Sequence, residues 1–470
     1  LIWTIYETYV QTNRTRVNIS FLLSTFLMGI TSLTGNLWIG IILSIVLGVG
    51  LFAFKRININ ILHVFALAMA MIAIGFSSYA LIVVRSIANP PMDQNSPENV
   101  FTLASYLGRE QYGDRPLFYG QYYNAPMDIE EKNGTYMYKT EEKGDIWNAK
   151  EKLHPDEPDQ YIVTDKKVKY CYVDKFCTIF PRMYSGNGSH VNSYKQWVGE
   201  PEKKITYKTP EGEQTAYVPS FFQNVKFFVD YQFLYMYMRY FMWNFSGRQN
   251  DIQGFGECDA GMFLTGIPFI DELIEGDYDD LPTQMKENKG RNVYYMLPLL
   301  LGILGIIYQC RKKKVGDQLF WTTFWLFFMT GIAIVIYLNQ TPLQPRERDY
   351  AYAASFYAYA IWIGFGVLGL MQILSKFLNN KTIVAIIATI VSLLVPVQMA
   401  AENWDDHDRS DRYLCRDTGY NYLMSCAPNA VIFTNGDNDT FPLWYLQEVE
   451  GVRTDVRVCN LSYLQTDWYI

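Results

Sequence analysis

Seven apolar runs constrain what this chain can fold into. They cover residues 17–34, 36–54, 60–85, 292–310, 319–338, 352–376 and 382–400. Each is close to the length, roughly 17–25 residues, that crosses a bilayer as a helix. Each is also apolar on all faces, whereas helices of water-soluble proteins are normally apolar along one stripe. In hydrocarbon, backbone polar groups have to be satisfied within the segment, so transmembrane helices are expected. Half of the residues are hydrophobic, yet mean hydropathy is only -0.04, because the apolar runs are averaged with long polar stretches.

Lysine and arginine placement orients the spans, since short cytoplasmic connections carry the basic residues. Arg14 and Arg16, then Lys55 and Arg56, then Arg311, Lys312, Lys313 and Lys314, then Lys376 and Lys381 all fall on one side. The Thr34-Gly35-Asn36 turn, the segment 86–291, the loop 339–351 and the end 401–470 fall on the other. Seven spans alternate between these sets without conflict. The expected organisation is therefore a first membrane part at 1–85, an extracytoplasmic domain at 86–291, a second membrane part at 292–400, and the start of a C-terminal extracytoplasmic domain at 401–470. Leu1 is not a methionine and no signal peptide precedes the first span. Both ends read as cut, so the chain is expected to be the interior of a longer protein.

The segment 86–291 is long enough to be a domain. Asn89-Pro90-Pro91 stops the preceding helix, and strands are expected at Lys167–Val173 and Ile205–Lys208, the latter before a Pro210-Glu211-Gly212 turn. Residues 220–245 read as a helix crowded with aromatics, among them Tyr231, Phe233, Tyr235, Tyr237, Tyr240, Phe241 and Trp243. It suits either a helix lying in the headgroup layer or a wall that stacks sugar rings or isoprenes. At the C-terminal end, Ala430–Thr434 reads as a strand, Asn435–Asp439 as a tight turn, Phe441–Val449 as a helix and Asp455–Val458 as a second strand: a β-α-β unit. No dinucleotide or P-loop motif occurs. The formal charge of -7 gives no reason to expect nucleic acid. Cys171 and Cys177 are close enough in sequence to pair in an oxidising compartment, but spacing alone does not decide it.

Charged clusters gather at the expected outer face. Gln344-Pro345-Arg346-Glu347-Arg348-Asp349-Tyr350 sets two arginines between two carboxylates in a short loop. Arginine forks match phosphate oxygens, and a lipid phosphate lies at that depth; the alternative is a self-neutralising loop that orients the helices. Arg85, ahead of Asp93, is either a second such cation or a snorkelling anchor. Asn403-Trp404-Asp405-Asp406-His407-Asp408-Arg409-Ser410 carries three carboxylates and a histidine within four residues. They suit a divalent cation or, more simply, a solvated helix cap. If the run is helical, neighbouring side chains diverge by about 100° and cannot all face one ion, so no metal is expected. Asp437 and Asp439 resemble a D-x-D pair, but a turn prefers the same residues.

Three strings carry a resemblance: Gln-Pro-Arg-Glu-Arg-Asp-Tyr with Ser355-Phe356-Tyr357, the Asn403–Ser410 run, and Thr434-Asn-Gly-Asp-Asn-Asp-Thr-Phe-Pro-Leu-Trp-Tyr445. The chain resembles, over nearly its whole length, a bacterial membrane family known as a domain of unknown function and related to the metazoan transmembrane protein O-mannosyltransferase. The resemblance implies a membrane α-helical, GT-C-like polytopic bundle, with a mixed α+β extracytoplasmic domain and the start of a C-terminal α/β domain. It implies a glycosyltransferase of the bacterial inner membrane that moves a sugar from a polyprenyl-phosphate donor to a protein or other hydroxyl on the periplasmic side, without a cofactor. In such enzymes the catalytic carboxylate lies in the first extracytoplasmic loop. That loop is only Thr34-Gly35-Asn36 here, so the residue is expected upstream of Leu1. Arg346, Arg348 and Arg85 are the expected lipid-phosphate binders. Glu347, Asp349, Tyr350, Asp93, Asp405, Asp406, His407, Asp408, Asp437 and Asp439 are expected to shape the site. The competing class is a transporter, a flippase or a structural subunit. A transporter is expected to carry charges at mid-membrane, whereas here they gather at one face.

Reporter fusions or cysteine labelling should place residue 150 and the segment 401–470 outside the cytoplasm and the connection at Arg311 inside it. A reporter at residue 150 found in the cytoplasm overturns this orientation.

Overall fold

The computed structural model describes the chain from Leu1 to Ile470 except residues 12, 28–36, 54–56, 91, 114, 133, 151, 153, 155, 156, 159, 210, 211, 313, 314 and 467. The Thr34–Asn36 turn, Lys55, Arg56, Pro91, Lys313, Lys314 and most of the turn at 210–212 therefore lie outside the described residues. The chain forms two compact units, Leu1–Gly113 with Tyr413–Ile470, and Asp114–Arg412. The boundaries fall elsewhere than the four expected segments: the middle segment from Asp114 on and the second membrane part form one unit, while residues 86–113 and 413–470 fall with the first membrane part. The reason is packing, because Arg182, Tyr184 and the helical stretch 221–245 bond to or pack against the later helices.

Four helices are long and apolar enough to cross a membrane: Ile59–Ile87, Gly316–Leu338, Asp349–Leu374 and Lys381–Glu402. The chain is a membrane protein. Trp38–Ala53 and Leu297–Arg311 are apolar but shorter. The run expected at 17–34 is described as a helix over Arg14–Thr25, and residues 28–36 are not described.

In the first unit, polar groups join apolar helices. The Thr4 hydroxyl donates to the Ser20 carbonyl at 2.8 Å, Thr8 bonds His63 Nδ1 at 2.8 Å, and Asn18 donates to the Leu51 carbonyl at 3.0 Å. Such bonds hold helices together where no hydrophobic force favours one apolar neighbour over another. The expected β-α-β unit is present. Val431–Thr434 and Arg457–Asn460 pair in parallel, connected through the helix Gly436–Glu448. Residues 436–439, expected as part of a turn, form the first turn of that helix. Gly436 enters it at φ +70, a conformation that suits glycine, and Asp437 and Asp439 sit where the helix dipole favours acids.

In the second unit, the helix Ala353–Leu374 lies against Leu297–Arg311 through small residues. Gly302 faces the Tyr359 ring, Gly305 the Trp362 backbone, Gly366 the Leu301 carbonyl and Gly369 the Leu304 side chain and carbonyl. Close backbone approach of this kind replaces side-chain interdigitation in membrane helix pairs. Trp362 Nε1 donates to Gln309 at 2.9 Å, and the Tyr359 hydroxyl to the Leu299 carbonyl at 2.8 Å.

The aromatic stretch is a continuous helix, but its aromatics are largely buried within the protein. A capping box of Ser220 and Gln223 starts it at Phe221, it is π-helical over Phe228–Met238, and it runs on through Arg239–Phe245. Phe227, Tyr231, Tyr235, Tyr237, Tyr240, Phe241, Trp243 and Phe245 are buried. They pack with Val335, Tyr352, Phe356, Tyr359 and Trp362 in the main core. Edge-to-face contacts such as Phe241 on Tyr359, with ring centroids 4.8 Å apart, order that core. Phe221 and Phe222 are the exceptions, exposed at the start.

The end of the helix Ile332–Leu338 is fixed by arginine. Arg182 donates to the Ile336 carbonyl at 2.9 Å and to the Leu117 carbonyl at 3.2 Å, and Arg115 to the Leu338 carbonyl at 3.0 Å. These answer helix-end carbonyls that have no intrahelical partner, and a cation is favoured at that end of the dipole. Arg182 is fully buried, and burial pushes its pKa down to about 10. Asn339, at φ 41, donates to the Pro116 and Pro181 carbonyls at 2.8 and 2.9 Å.

Outside the core, Tyr161–Tyr170 pairs with Thr140–Ala149, so the strand expected at Lys167–Val173 starts earlier and ends at Tyr170. The strand expected at Ile205–Lys208 is Lys203–Thr209, in a hairpin with Gly212–Val218. Cys171 and Cys177 are free thiols.

Replacing Gly305 or Gly366 by leucine should separate the two helices, because backbone rather than a flexible side chain fills each Cβ site. Overpacking costs about 1–3 kcal/mol or more, seen as a lowered thermal midpoint of the purified protein. Leucine at Gly364, which has open space, should leave the midpoint unchanged. An unchanged midpoint for Gly305→Leu refutes the close approach.

Candidate functional site at the loop 344–350

The loop is organised by Glu347, whose partner comes from the aromatic helix. Arg239 donates from Nη2 to Glu347 Oε2 at 2.7 Å and from Nη1 to Oε1 at 3.3 Å. The Tyr240 hydroxyl donates to Oε2, and the Gly254 N–H reaches Oε1 at 3.3 Å. Arg239 also donates to the Tyr235 and Gly261 carbonyls at 3.0 and 2.8 Å, and its guanidinium lies 3.9 Å from the Tyr235 ring centre. Arg239 is 2% and Glu347 17% exposed, so this is a buried ion pair with its remaining valences filled. Burial also raises the Tyr240 pKa, which keeps the phenol a donor. The same hydroxyl accepts from the Arg348 N–H at 3.1 Å, fixing the loop backbone.

With Glu347 committed, the loop does not neutralise itself. Among the described residues no ion pair joins Arg346 or Arg348 to Glu347 or Asp349. Arg346 is exposed and lies 5.4 Å from the Tyr350 ring centre. Arg348 is half-buried, donates from Nη1 to the Tyr350 hydroxyl at 2.8 Å, and keeps an unpartnered, buried Nε. Asp349 starts the short 3-10 turn that leads into the helix Ala353–Leu374.

The run after the last span belongs to the same neighbourhood. It forms turns beyond Glu402 rather than the helix considered from sequence. It is held by the strand pair Gly247–Arg248 and Asn292–Val293, in which Arg248 and Asn292 are register partners. Asn292 donates to Asp406 Oδ2 at 2.9 Å and to Asn403 Oδ1 at 3.1 Å, and the Val293 N–H donates to Glu402 at 3.1 Å. Arg248 lies 4.2 Å from the Trp243 ring centre with an unpartnered, buried Nε. Burial lowers its pKa, and Asp251, Asp349, Glu347 and Asp406 act against that. Arg248 thus lies in the field of carboxylates from both the 347–349 loop and the run after the last span.

The other candidates are placed differently. Asp405 and Asp408 are exposed, and Asp408 accepts from Ser410, which lowers its pKa. Arg85, Asp93, Asp437 and Asp439 belong to the first unit. Arg85 is exposed, Asp93 accepts from the Ser86 hydroxyl at 2.7 Å, and Asp437 accepts from the Tyr463 hydroxyl at 2.9 Å. Among the described residues no three His, Cys, Asp or Glu side chains converge as a metal site requires. Sequence reasoning missed Arg239, Arg248 and Asn292, and named Tyr240 only as one aromatic of the helix 220–245. An arginine inside an otherwise aromatic helix was the available signal, since such a charge is buried only when paired. Nothing local pointed to Asn292.

Glu347→Ala should leave Arg239 buried without its counter-ion, at a cost of about 3–5 kcal/mol. The thermal midpoint and the yield of monodisperse protein should fall. The double variant Arg239→Met, Glu347→Leu should lose less than the sum of the single changes. Additive losses show that the two residues do not act as a pair.

Residues 415–470 match the family model of TMEM260-associated domain 2, and residues 113–229 match that of a family of unknown function. No curated protein and no solved structure matches the chain.

Proposed function

We propose that the chain is part of a GT-C-type glycosyltransferase of the bacterial inner membrane. It moves a sugar from a polyprenyl-phosphate donor to a hydroxyl on a protein or other acceptor at the periplasmic face. The reading counts seven spans, adding the two shorter apolar helices and the run at 17–34 to the four long ones. The observation that carries it is the pairing of Glu347 with Arg239, which leaves Arg346 and Arg348 without a carboxylate partner among the described residues. The resemblance of the three sequence strings supports it. So does the match of 415–470 to TMEM260-associated domain 2, which is loosely consistent with O-mannosyl transfer.

The chemistry follows from charge. When the bond between the sugar and the lipid phosphate breaks, negative charge grows on the phosphate oxygen. Fixed cations aimed at that oxygen stabilise the transition state more than the ground state. Arg348, with its backbone fixed by Tyr240 and its Nη1 by Tyr350, is preorganised to offer Nη2. Arg346 adds a second, exposed guanidinium. Tyr350 orients both, through its hydroxyl on Arg348 and its ring beside Arg346.

Arg346→Ala or Arg348→Ala should abolish transfer of labelled sugar from a polyprenyl-phosphate donor in membranes, with the protein still inserted and abundant. Lysine at either position should restore only part, because a point charge replaces a fork. Full transfer by the double alanine variant rejects this role.

A further inference from the structure

We propose that the carboxyl end of the two parallel strands in the β-α-β unit binds an uncharged sugar, held by Asp437, Asp439, Asn460 and Trp468. Such a site goes beyond the transfer reaction proposed above and does not depend on it.

Topology sets the place. Val431–Thr434 and Arg457–Asn460 run in parallel, with Thr434 opposite Asn460 as the last pair. In open α/β units ligands bind beyond the carboxyl ends of the strands. Here the chain leaves Thr434 and enters the helix Gly436–Glu448. Asn435 gives that helix no side-chain cap, and the first N–H groups of a helix have no partner within it. A Cβ built on Gly436 would meet only the Ser462 hydroxyl, at 4.0 Å. There is room, therefore, between the start of the helix and the segment that follows the second strand.

Asn460 points to a ligand there. It is 0% exposed. Its Oδ1 accepts from the Ser462 N–H at 2.9 Å, which makes Nδ2 the donor end, and Nδ2 has no partner among the described residues. Its direction follows from the ladder. Register partners in a parallel pair point to the same side of the sheet. Thr434 is bonded on that side to Thr440, in the first part of the helix, at 2.7 Å. Val458, two residues before Asn460, packs on the same side with Leu443 and Leu446 of the helix. Asn460 thus aims an unpaired donor under the start of the helix. A buried donor without a partner is unfavourable, and an oxygen from a ligand relieves it. Trp468 repeats the pattern with a buried, unpartnered Nε1. Its ring centre lies 5.4 Å from that of Tyr463, whose hydroxyl donates to Asp437 Oδ1 at 2.9 Å. The aromatic rings are thereby tied to the helix end.

The chemistry selects the ligand. Donors at a helix N-terminus suit an anion, but Asp437 and Asp439 stand exposed in the same turn. Among the described residues no lysine or arginine pairs with either of them. Burial pushes the Tyr463 hydroxyl up to about 12, and every charge that acts on it, Asp437 foremost, pushes the same way. A phosphate would meet negative charge uncompensated. A sugar hydroxyl both accepts and donates: it takes a hydrogen bond from an amide, an indole or a helix N–H and gives one to a carboxylate. The half-buried rings of Tyr463 and Trp468 offer apolar faces beside these polar groups, the mixture that small-molecule sites use.

The test uses the full chain in lipid nanodiscs, with the methyl glycosides of mannose, glucose, galactose and N-acetylglucosamine as probes and empty nanodiscs as the reference. At least one glycoside should give saturable saturation-transfer signals. The same glycoside should shift the indole N–H signal of Trp468 in 15N-tryptophan spectra, identified by its loss in Trp468→Phe. Asp439→Ala, a change at an exposed position, and Trp468→Phe, which keeps an aromatic ring, should each weaken binding about tenfold or more. Arg457→Ala, exposed at the far end of the same strand, should leave binding unchanged. No saturable binding of any of the four glycosides overturns the site. So does binding that survives undiminished in both site variants, or saturable binding of inorganic phosphate in place of the sugars.

Discussion

The contact between Arg239 and Glu347 organises the second unit. A guanidinium that is 2% exposed requires a counter-charge, because an isolated buried ion is far costlier than a paired one. Here Glu347 supplies it, with the loop at 347 drawn onto the aromatic helix. Once that is done, the Tyr240 hydroxyl is within reach of both the carboxylate and the Arg348 N–H. Those bonds hold the loop backbone at Arg348. The pair is dressed with carbonyls and ring faces on the Arg239 side, so little of its hydrogen-bonding capacity is wasted. Its role is specificity of position rather than net stability, since a hydrophobic substitute of equal shape is often as stable.

Two other constraints serve the same end. Arg182, Arg115 and Asn339 bind the segment that contains residues 115–184 to the end of the helix Ile332–Leu338. Asn292 does the equivalent for the turn after Glu402. In each case a side chain far away in sequence answers a helix end or a carboxylate. The polar groups at this face are therefore fixed from several directions, which a lone surface loop is not.

Much of this was legible in the sequence, and the missing parts share a cause. Long apolar runs announce themselves by composition, so the helices Ile59–Ile87 and Lys381–Glu402 stand close to where they were expected. The β-α-β unit is likewise a local pattern. The arginines of the loop were visible, but whether Glu347 would neutralise them was not, because its partner lies 108 residues away. Reading the loop alone leaves ion pairing within it as the natural alternative. Arg248 and Asn292 gain meaning only as register partners in a two-residue ladder, too short to leave a periodic signal. The aromatic helix was seen as a helix, yet periodicity does not say whether lipid or protein covers an apolar face.

The π-helical stretch Phe228–Met238 adds a consequence of its own. Its turns hold more residues than those of an α-helix, so it contains a surplus relative to the geometry on either side. Segments of that kind behave as an angular spacer: they decide which way everything downstream points. An α-helix turns about 100° per residue, so relatives that lack the surplus residue would present a different side chain to the loop at the position of Arg239. The helix would still form and still be apolar, yet the carboxylate would face an aromatic ring. In this architecture residue count along one helix, rather than residue identity alone, acts as a determinant of where the charge is delivered.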